Sequence, residues 1–473
     1  MKNLKSIESA LEKTTDTKAL IIGVGAMKRT PEMFSQLFPG RTAVIVADQN
    51  TWDIAAEEVA GSMEQAGIPM VEPFIFQDRN IFAEWSFVEE LEAALGQSDA
   101  IPVAVGAGVV NDLNPSFMTK LVSEHLGRRY MIVATTVSMD GFSAYGASVI
   151  KDGFKRTFDC RAAYGIIVDP AVAAKAPKYL AVSGYADLLA KIPAGADWIV
   201  ADAMGCENLD EFAWHLVQDG LRDSLSAPEA VYNGEVPAIK SLAQELILSG
   251  FAMQSCQSSR PASGTEHLFG HYWEMTDLSY TGKEEVPGFE TGKSFLSEGR
   301  RVPHGFAVGI GSLVSAACYE FLLSKDLSAI DIDACVNAWP SWENMEAEIR
   351  RVFVDIPKDQ TEITVRDCRA KYPSQEQLRS QLDRVRDGWP ALKARLESEL
   401  MTPSELRGLL KTVHAPYEPE MIAVSRAGLR TAFRHIPYMR DRITAIDLIQ
   451  RLGLLPELET HLFGPGGYWD MRN

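Results

Sequence analysis

From residue 16 to residue 180, short apolar runs alternate with amphipathic stretches, and no other feature of the chain restricts its fold as much. The runs are ALIIGV at 19–24, TAVIVA at 42–47, the stretch 70–76, IPVAV at 101–105, YMIVA at 130–134 and YGIIV at 164–168. They are short and nearly uniformly apolar, which suits parallel strands covered by helices on both faces. Helical stretches separate them, one opening at Pro31, one after Thr51, one at 82–95 and one at Pro115. This alternation predicts a parallel α/β domain over residues 1–180.

After Pro177 the texture changes. Strand runs vanish, and helical periodicity predicts helices over 209–221, 238–252, 266–275, 305–323 and 445–452. Residues 181–473 therefore read as an all-α domain, with a charged helical expansion over 325–435. Within it, LRSQLDRVRDGWPALKARLESEL predicts an exposed helix broken near Pro390. A cleft between two such domains is a common place for a ligand.

Lys and Arg number 46 against 64 Asp and Glu, a net charge of −18. That balance argues against nucleic acid and against an anionic membrane surface as partners. An anionic small substrate stays compatible, because a metal or a helix N-terminus makes one pocket locally positive. The six cysteines are scattered with no C-x-x-C spacing, as in reduced thiols. The N-terminal stretch does not read as a signal peptide and no membrane span is expected, so a cytoplasmic location is the expectation.

The stretch SSRPASGTEHLFGHYWEM at 258–275 carries the chemistry. On a helix, His267 and His271 stand one turn apart on one face. His304 follows in VPHGFAVGIGS, and Asp187 precedes in SGYADLLAKIPAGADW. One Asp with two or three His from separate helices can form an open divalent-metal site. Gly106-Ala107-Gly108 ends a strand and precedes a helix, where a backbone can approach a pyrophosphate. Asp48 ends the second strand, where a carboxylate would meet ribose hydroxyls and favour NAD over NADP. Thr135, Thr136, Ser138, Asp140 and Ser143 cluster beyond another strand's carboxyl end, the ligand edge of such sheets. His125, His215, His414 and His435 read as structural or solvated, and Trp198 and Trp273 as packing residues.

Taken in order, the Gly-rich turn, the T-x-S-x-D-G loop, SG-x-x-D-x-x-AK, SSRPASG-x-EH-x-x-x-H and PHG-x-x-VG-x-G closely resemble the sn-glycerol-1-phosphate dehydrogenases. These are a branch of the iron-containing alcohol dehydrogenase and glycerol dehydrogenase group. The likeness covers residues 16–320 and 441–454. It implies a Rossmann-like N-terminal domain, a helical C-terminal domain, NAD or NADP, and zinc, with nickel or ferrous iron as alternatives. It implies that Asp187, His267 and His304 hold the metal, Asp187 also meeting the substrate. His271 would relay a proton, and Asp140 would contact the substrate's hydroxyl. Gly106, Ala107 and Gly108 would wrap the pyrophosphate, Asp48 the ribose, and Thr135, Thr136 and Ser138 would line the cofactor. Ser143 is displaced from the family's second serine position. The implied reaction interconverts dihydroxyacetone phosphate and sn-glycerol 1-phosphate in a homo-oligomer, a homodimer being one form. The alternatives are the same chemistry on glycerol or another polyol or sugar phosphate, and a dehydroquinate synthase-like lyase. Lys155, Arg156, Arg161, Lys191 and Arg260 are the candidate phosphate partners.

Overall fold

Alternating Val and Ile residues send side chains to both faces of each strand, so burial on both faces requires a layer on each side. The computed structural model, which describes residues 7–78, 81, 83–106, 115–151, 154–276 and 302–472, meets that requirement. Strands β1 (Ala19–Ile22), β2 (Ala43–Asp48), β3 (Phe74–Phe76), β4 (Ile101–Val105) and β5 (Met131–Ala134) belong to one parallel sheet. A hairpin of β6 (Ala147–Lys151) and β7 (Phe154–Phe158) intervenes before β8 (Gly165–Val168) rejoins the sheet. The order is β1-β8-β5-β4-β2-β3, with Val105 opposite Val133 and Val133 opposite Ile167.

The two faces have different neighbours. Met131, Val133 and Ile167 point into a core with Met33, Phe34 and Val59 of the N-terminal helices. Their alternates Ile132, Ala134, Ile166 and Val168 point into the core of the helical half. The period-2 geometry of two central strands thus joins the sheet directly to the helices that carry the site.

The antiparallel β6–β7 hairpin corrects the sequence reading, which placed no strand in 147–158. Its ASVIK and FKRTF segments pair Ala147 to Lys151 with Phe158 to Phe154, and of ASVIK only Ala147 and Val149 are buried, a weak apolar pattern. A second correction concerns Pro390. Helix Gln375–Glu399 runs through it unbroken. Leu378, Leu382, Val385, Trp389, Leu392 and Leu396 form one buried stripe, so packing of that face overrides the proline's local penalty. Among the described residues, helix His304–Leu323 is long and apolar enough to cross a membrane, yet nearly all of it is buried inside the protein.

Candidate active site

Three helices converge on the loop that follows the carboxyl end of β5. The first helix, Lys178–Leu189, carries Asp187. The histidine helix, Thr265–Met275, carries His267 and His271. His304 opens helix His304–Leu323. Their approach depends on residues without side chains. A Cβ on Gly184 would lie 1.8 Å from the Val137 carbonyl oxygen, one on Gly305 1.9 Å from the Ser183 oxygen, and one on Gly311 2.3 Å from the Glu266 oxygen. Ser183 ties the same segments: its hydroxyl donates to the Ser138 carbonyl at 3.2 Å and accepts from Gly305 N–H at 3.2 Å.

One potential ligand atom from each of Asp187, His267 and His304 lies within 4.8 Å of the others, and all three residues are buried. Nε2 of His267 stands 3.6 Å from Asp187 Oδ1. Each imidazole is oriented from behind. His267 Nδ1 is 2.8 Å from Glu266 Oε1, and His304 Nδ1 is 3.1 Å from Glu274 Oε1. A carboxylate behind Nδ1 is the arrangement seen behind histidines that bind metals through Nε2. Two imidazoles, one carboxylate and room for exogenous oxygen suit a divalent cation. The donor set fits the metal that the sequence implies.

Lys191 is fully buried. Its ammonium donates to Asp187 Oδ1 at 2.8 Å and pairs with Asp140 Oδ2 at 2.9 Å. Burial alone would raise the Asp187 carboxyl, but Lys191, His267 and His304 hold it well below the usual range. Asp140 is fixed three ways: its N–H donates to Asp187 Oδ2 at 3.1 Å, and its Oδ2 accepts from Ser249 at 2.7 Å as well as from Lys191. Its loop is clamped by the buried Lys120 ammonium, which donates to the carbonyls of Gly141, Ala144 and Gly146 at 3.0, 2.6 and 3.0 Å. Burial pulls that ammonium down to about 8.

A cavity of about 90 Å³ is lined by Asp140, His267, His271, His304 and Arg440. It brings together the predicted aspartate and histidines, and adds an arginine that sequence reasoning passed over. His271 lies 3.4 Å from Glu274 through Nδ1.

The other predicted residues divide. Gly106, with φ 148°, closes β4, and its N–H donates to Val133 O at 3.0 Å. Ala107 and Gly108 lie outside the described residues. Thr135, Thr136 and Ser138 follow β5 and are buried. Ser143 is not brought to the cavity. Its hydroxyl donates to Asp140 O and Leu246 O at 3.1 and 3.4 Å, packed where Gly250 leaves room. Asp48 is fully buried, and its Oδ1 caps the following turn through the N–H groups of Asn50 and Thr51. Its Oδ2 makes no hydrogen bond among the described residues.

Of the expected phosphate partners, Lys191 is already paired. Arg161 holds Glu124 at 2.8 Å, and Arg260 holds Glu207 at 2.8 Å and two carbonyls. Arg156 lines a cavity adjoining His271 and Arg440, and the side chain of Lys155 lies outside the description.

The family described as iron-containing alcohol dehydrogenase matches residues 21–177. A glycerol-1-phosphate dehydrogenase [NAD(P)+] of Bacillus velezensis is 30% identical over 274 residues, covering 57% of this chain and 68% of that protein. The chain belongs to the iron-containing alcohol dehydrogenase family, in its glycerol-1-phosphate dehydrogenase branch. A like-named enzyme of Halalkalibacterium halodurans is 31% identical over 251 residues, covering 52% of this chain and 61% of the relative's length. The fold is also that of glycerol dehydrogenase from Schizosaccharomyces pombe, with TM-score 0.56 at 15% identity over 94% of this chain and 90% of that one. Members of this family are metal-dependent, NAD(P)-linked dehydrogenases, and Asp187, His267 and His304 form a buried cluster with the spacing to hold a cation.

Proposed function

We propose that this chain interconverts dihydroxyacetone phosphate and sn-glycerol 1-phosphate as an NAD(P)-linked, metal-dependent oxidoreductase. The convergence of Asp187, His267 and His304 in one buried cluster carries this reading, supported by the glycerol-1-phosphate dehydrogenases among the relatives. Asp187, His267 and His304 would hold the cation, with zinc the first choice and nickel or ferrous iron alternatives. A bound divalent cation would supply Lewis-acid polarisation of a carbonyl oxygen.

The chain's own residues supply the rest. Glu266 and Glu274 hold the two imidazoles in one orientation. Asp140, fixed by Lys191 and Ser249 through Oδ2, keeps Oδ1 for a substrate hydroxyl. Reduction of a ketone requires a hydride at carbon and a proton at oxygen. His271, lining the cavity beside Glu274, is the residue proposed to hold that proton, since an imidazole titrates near neutral pH. Gly106, Thr135, Thr136 and Ser138 form the proposed cofactor edge, beyond the ends of adjacent strands β4 and β5. Asp48 is the proposed ribose contact through Oδ2.

The test is NADH oxidation by metal-loaded protein with dihydroxyacetone phosphate and with dihydroxyacetone. Faster turnover of the phosphorylated ketone, lost on chelation and restored by zinc, is expected. Faster turnover of the unphosphorylated ketone overturns the substrate.

A further inference from the structure

A phosphorylated substrate needs a cation or N–H groups for its phosphate, and nearly every buried cation near the site is already engaged. Arg442 donates to Ser263 O and to Ser259 Oγ. Lys191, Lys120, Arg161 and Arg260 are held as described above. Arg440 differs from all of them. It lines the same cavity as Asp140, His267, His271 and His304, and also the adjoining cavity lined by His271 and Arg156. Its side chain is half-buried, yet among the described residues its guanidinium makes no hydrogen bond and no ion pair. Its backbone is left-handed, at φ 54°, a conformation that a non-glycine residue adopts at a cost of order 1 kcal/mol.

A half-buried arginine without a protein partner keeps its donors available to an anion in the cavity it lines. A guanidinium presents a planar fork of donors that matches two phosphate oxygens at once. The carboxylates of Asp367, Asp441 and Glu274 influence its charge, and none of them forms an ion pair with it among the described residues. We infer that Arg440 binds the phosphate of the substrate in the cavity it shares with Asp140, His267, His271 and His304, and so selects a phosphorylated ketone over its unphosphorylated analogue. This assignment rests on the proposed reaction.

The test uses the metal-loaded full-length enzyme and the variants Arg440→Gln and Arg440→Lys. Two quantities are measured: the ratio of kcat/KM for dihydroxyacetone phosphate to that for dihydroxyacetone, and the affinity for inorganic phosphate by calorimetry. In Arg440→Gln the ratio falls by about 10- to 100-fold, the worth of a charged hydrogen bond, and phosphate affinity falls with it. Arg440→Lys lies between, since a point charge replaces a fork. Metal content and circular dichroism identify a misfolded variant, and the lysine variant then decides. If the wild-type enzyme does not prefer the phosphorylated ketone, the proposed substrate and this assignment fall together. If the wild-type prefers it and both variants keep the preference and the phosphate affinity, only the role of Arg440 is overturned.

Discussion

Glu274 Oε1 lies 3.1 Å from Nδ1 of His304, although the two residues sit on different helices, 30 positions apart. The same carboxylate approaches His271 through its other oxygen, at 3.4 Å. One side chain thereby orients a proposed metal ligand and a proposed proton carrier. Glu274→Gln removes the charge and keeps the shape. Metal affinity should fall about 10- to 100-fold, measured by competition with a chromogenic chelator. Unaltered affinity would show that His304 needs no support from Glu274.

Lys191 is the only buried cation among the described residues paired with both Asp140 and Asp187. Lys191→Met would leave two buried carboxylates without their counter-ion. Loss of one partner from such a group costs about 3–5 kcal/mol. A divalent ion at Asp187 would replace part of the missing charge. Urea unfolding should therefore show a large loss in metal-free protein and a smaller one with zinc. Equal stability of variant and wild type in both conditions would mean that Lys191 contributes nothing at this junction.

Asp197 accepts from Thr265 N–H at 2.6 Å, Ala445 N–H at 2.8 Å and the Tyr319 hydroxyl at 2.7 Å. It thus holds the N-terminus of the histidine helix. Burial, and then the charge of nearby Glu266, raise it from 3.8 to about 6. Between those values the folded protein binds more protons than the unfolded chain. This group's contribution to stability therefore falls as pH rises from about 4 to about 6, at up to about 1.4 kcal/mol per pH unit. Asp197→Asn cannot titrate. Wild-type stability measured against that variant in urea at pH 4, 5, 6 and 7 should decline across the window and then level off. A flat difference would contradict the shift.

Much of this architecture was legible because it is repetitive. Runs such as TAVIVA and IPVAV are apolar at successive positions, so both faces of the strand had to be covered. The helices His304–Leu323 and Thr265–Met275 appeared within a residue of their expected starts. The proposed metal ligands were visible because SSRPASG-x-EH and PHG carry a resemblance that survives without any periodicity. What stayed hidden is long-range and aperiodic. Nothing local ties Lys191 to Asp140, although its i+4 spacing from Asp187 could have suggested the first half of the pair. Arg440 enters the cavity from a left-handed turn that no pattern announces. Asp48 matched a ribose-binding position, yet its Oδ1 is taken by the turn that follows. Pro390 looked like a break because local propensity is blind to the buried Leu and Val stripe around it.

Gly305 and Gly309 of PHG-x-x-VG-x-G set how closely the helix bearing His304 approaches the one bearing Asp187. At Gly305 a methyl group would come within 1.9 Å of the Ser183 carbonyl oxygen, a backbone atom that cannot swing aside. Gly305 N–H also donates to the Ser183 hydroxyl, so moving the helix breaks this link as well. Gly305→Ala must therefore push the start of helix His304–Leu323 away from Ser183. Overpacking of this kind costs about 1–3 kcal/mol. The displacement matters more than the energy, because the adjacent His304 is the proposed metal ligand and ligand distances hold to within about 0.2 Å. The variant should fold with a lowered melting temperature and a much larger loss of bound zinc, measured by elemental analysis after dialysis. Gly408→Ala is the control, because a Cβ at that helical position meets nothing within 4 Å. If Gly305→Ala retained as much zinc as Gly408→Ala, close approach of the two helices would not be what positions His304.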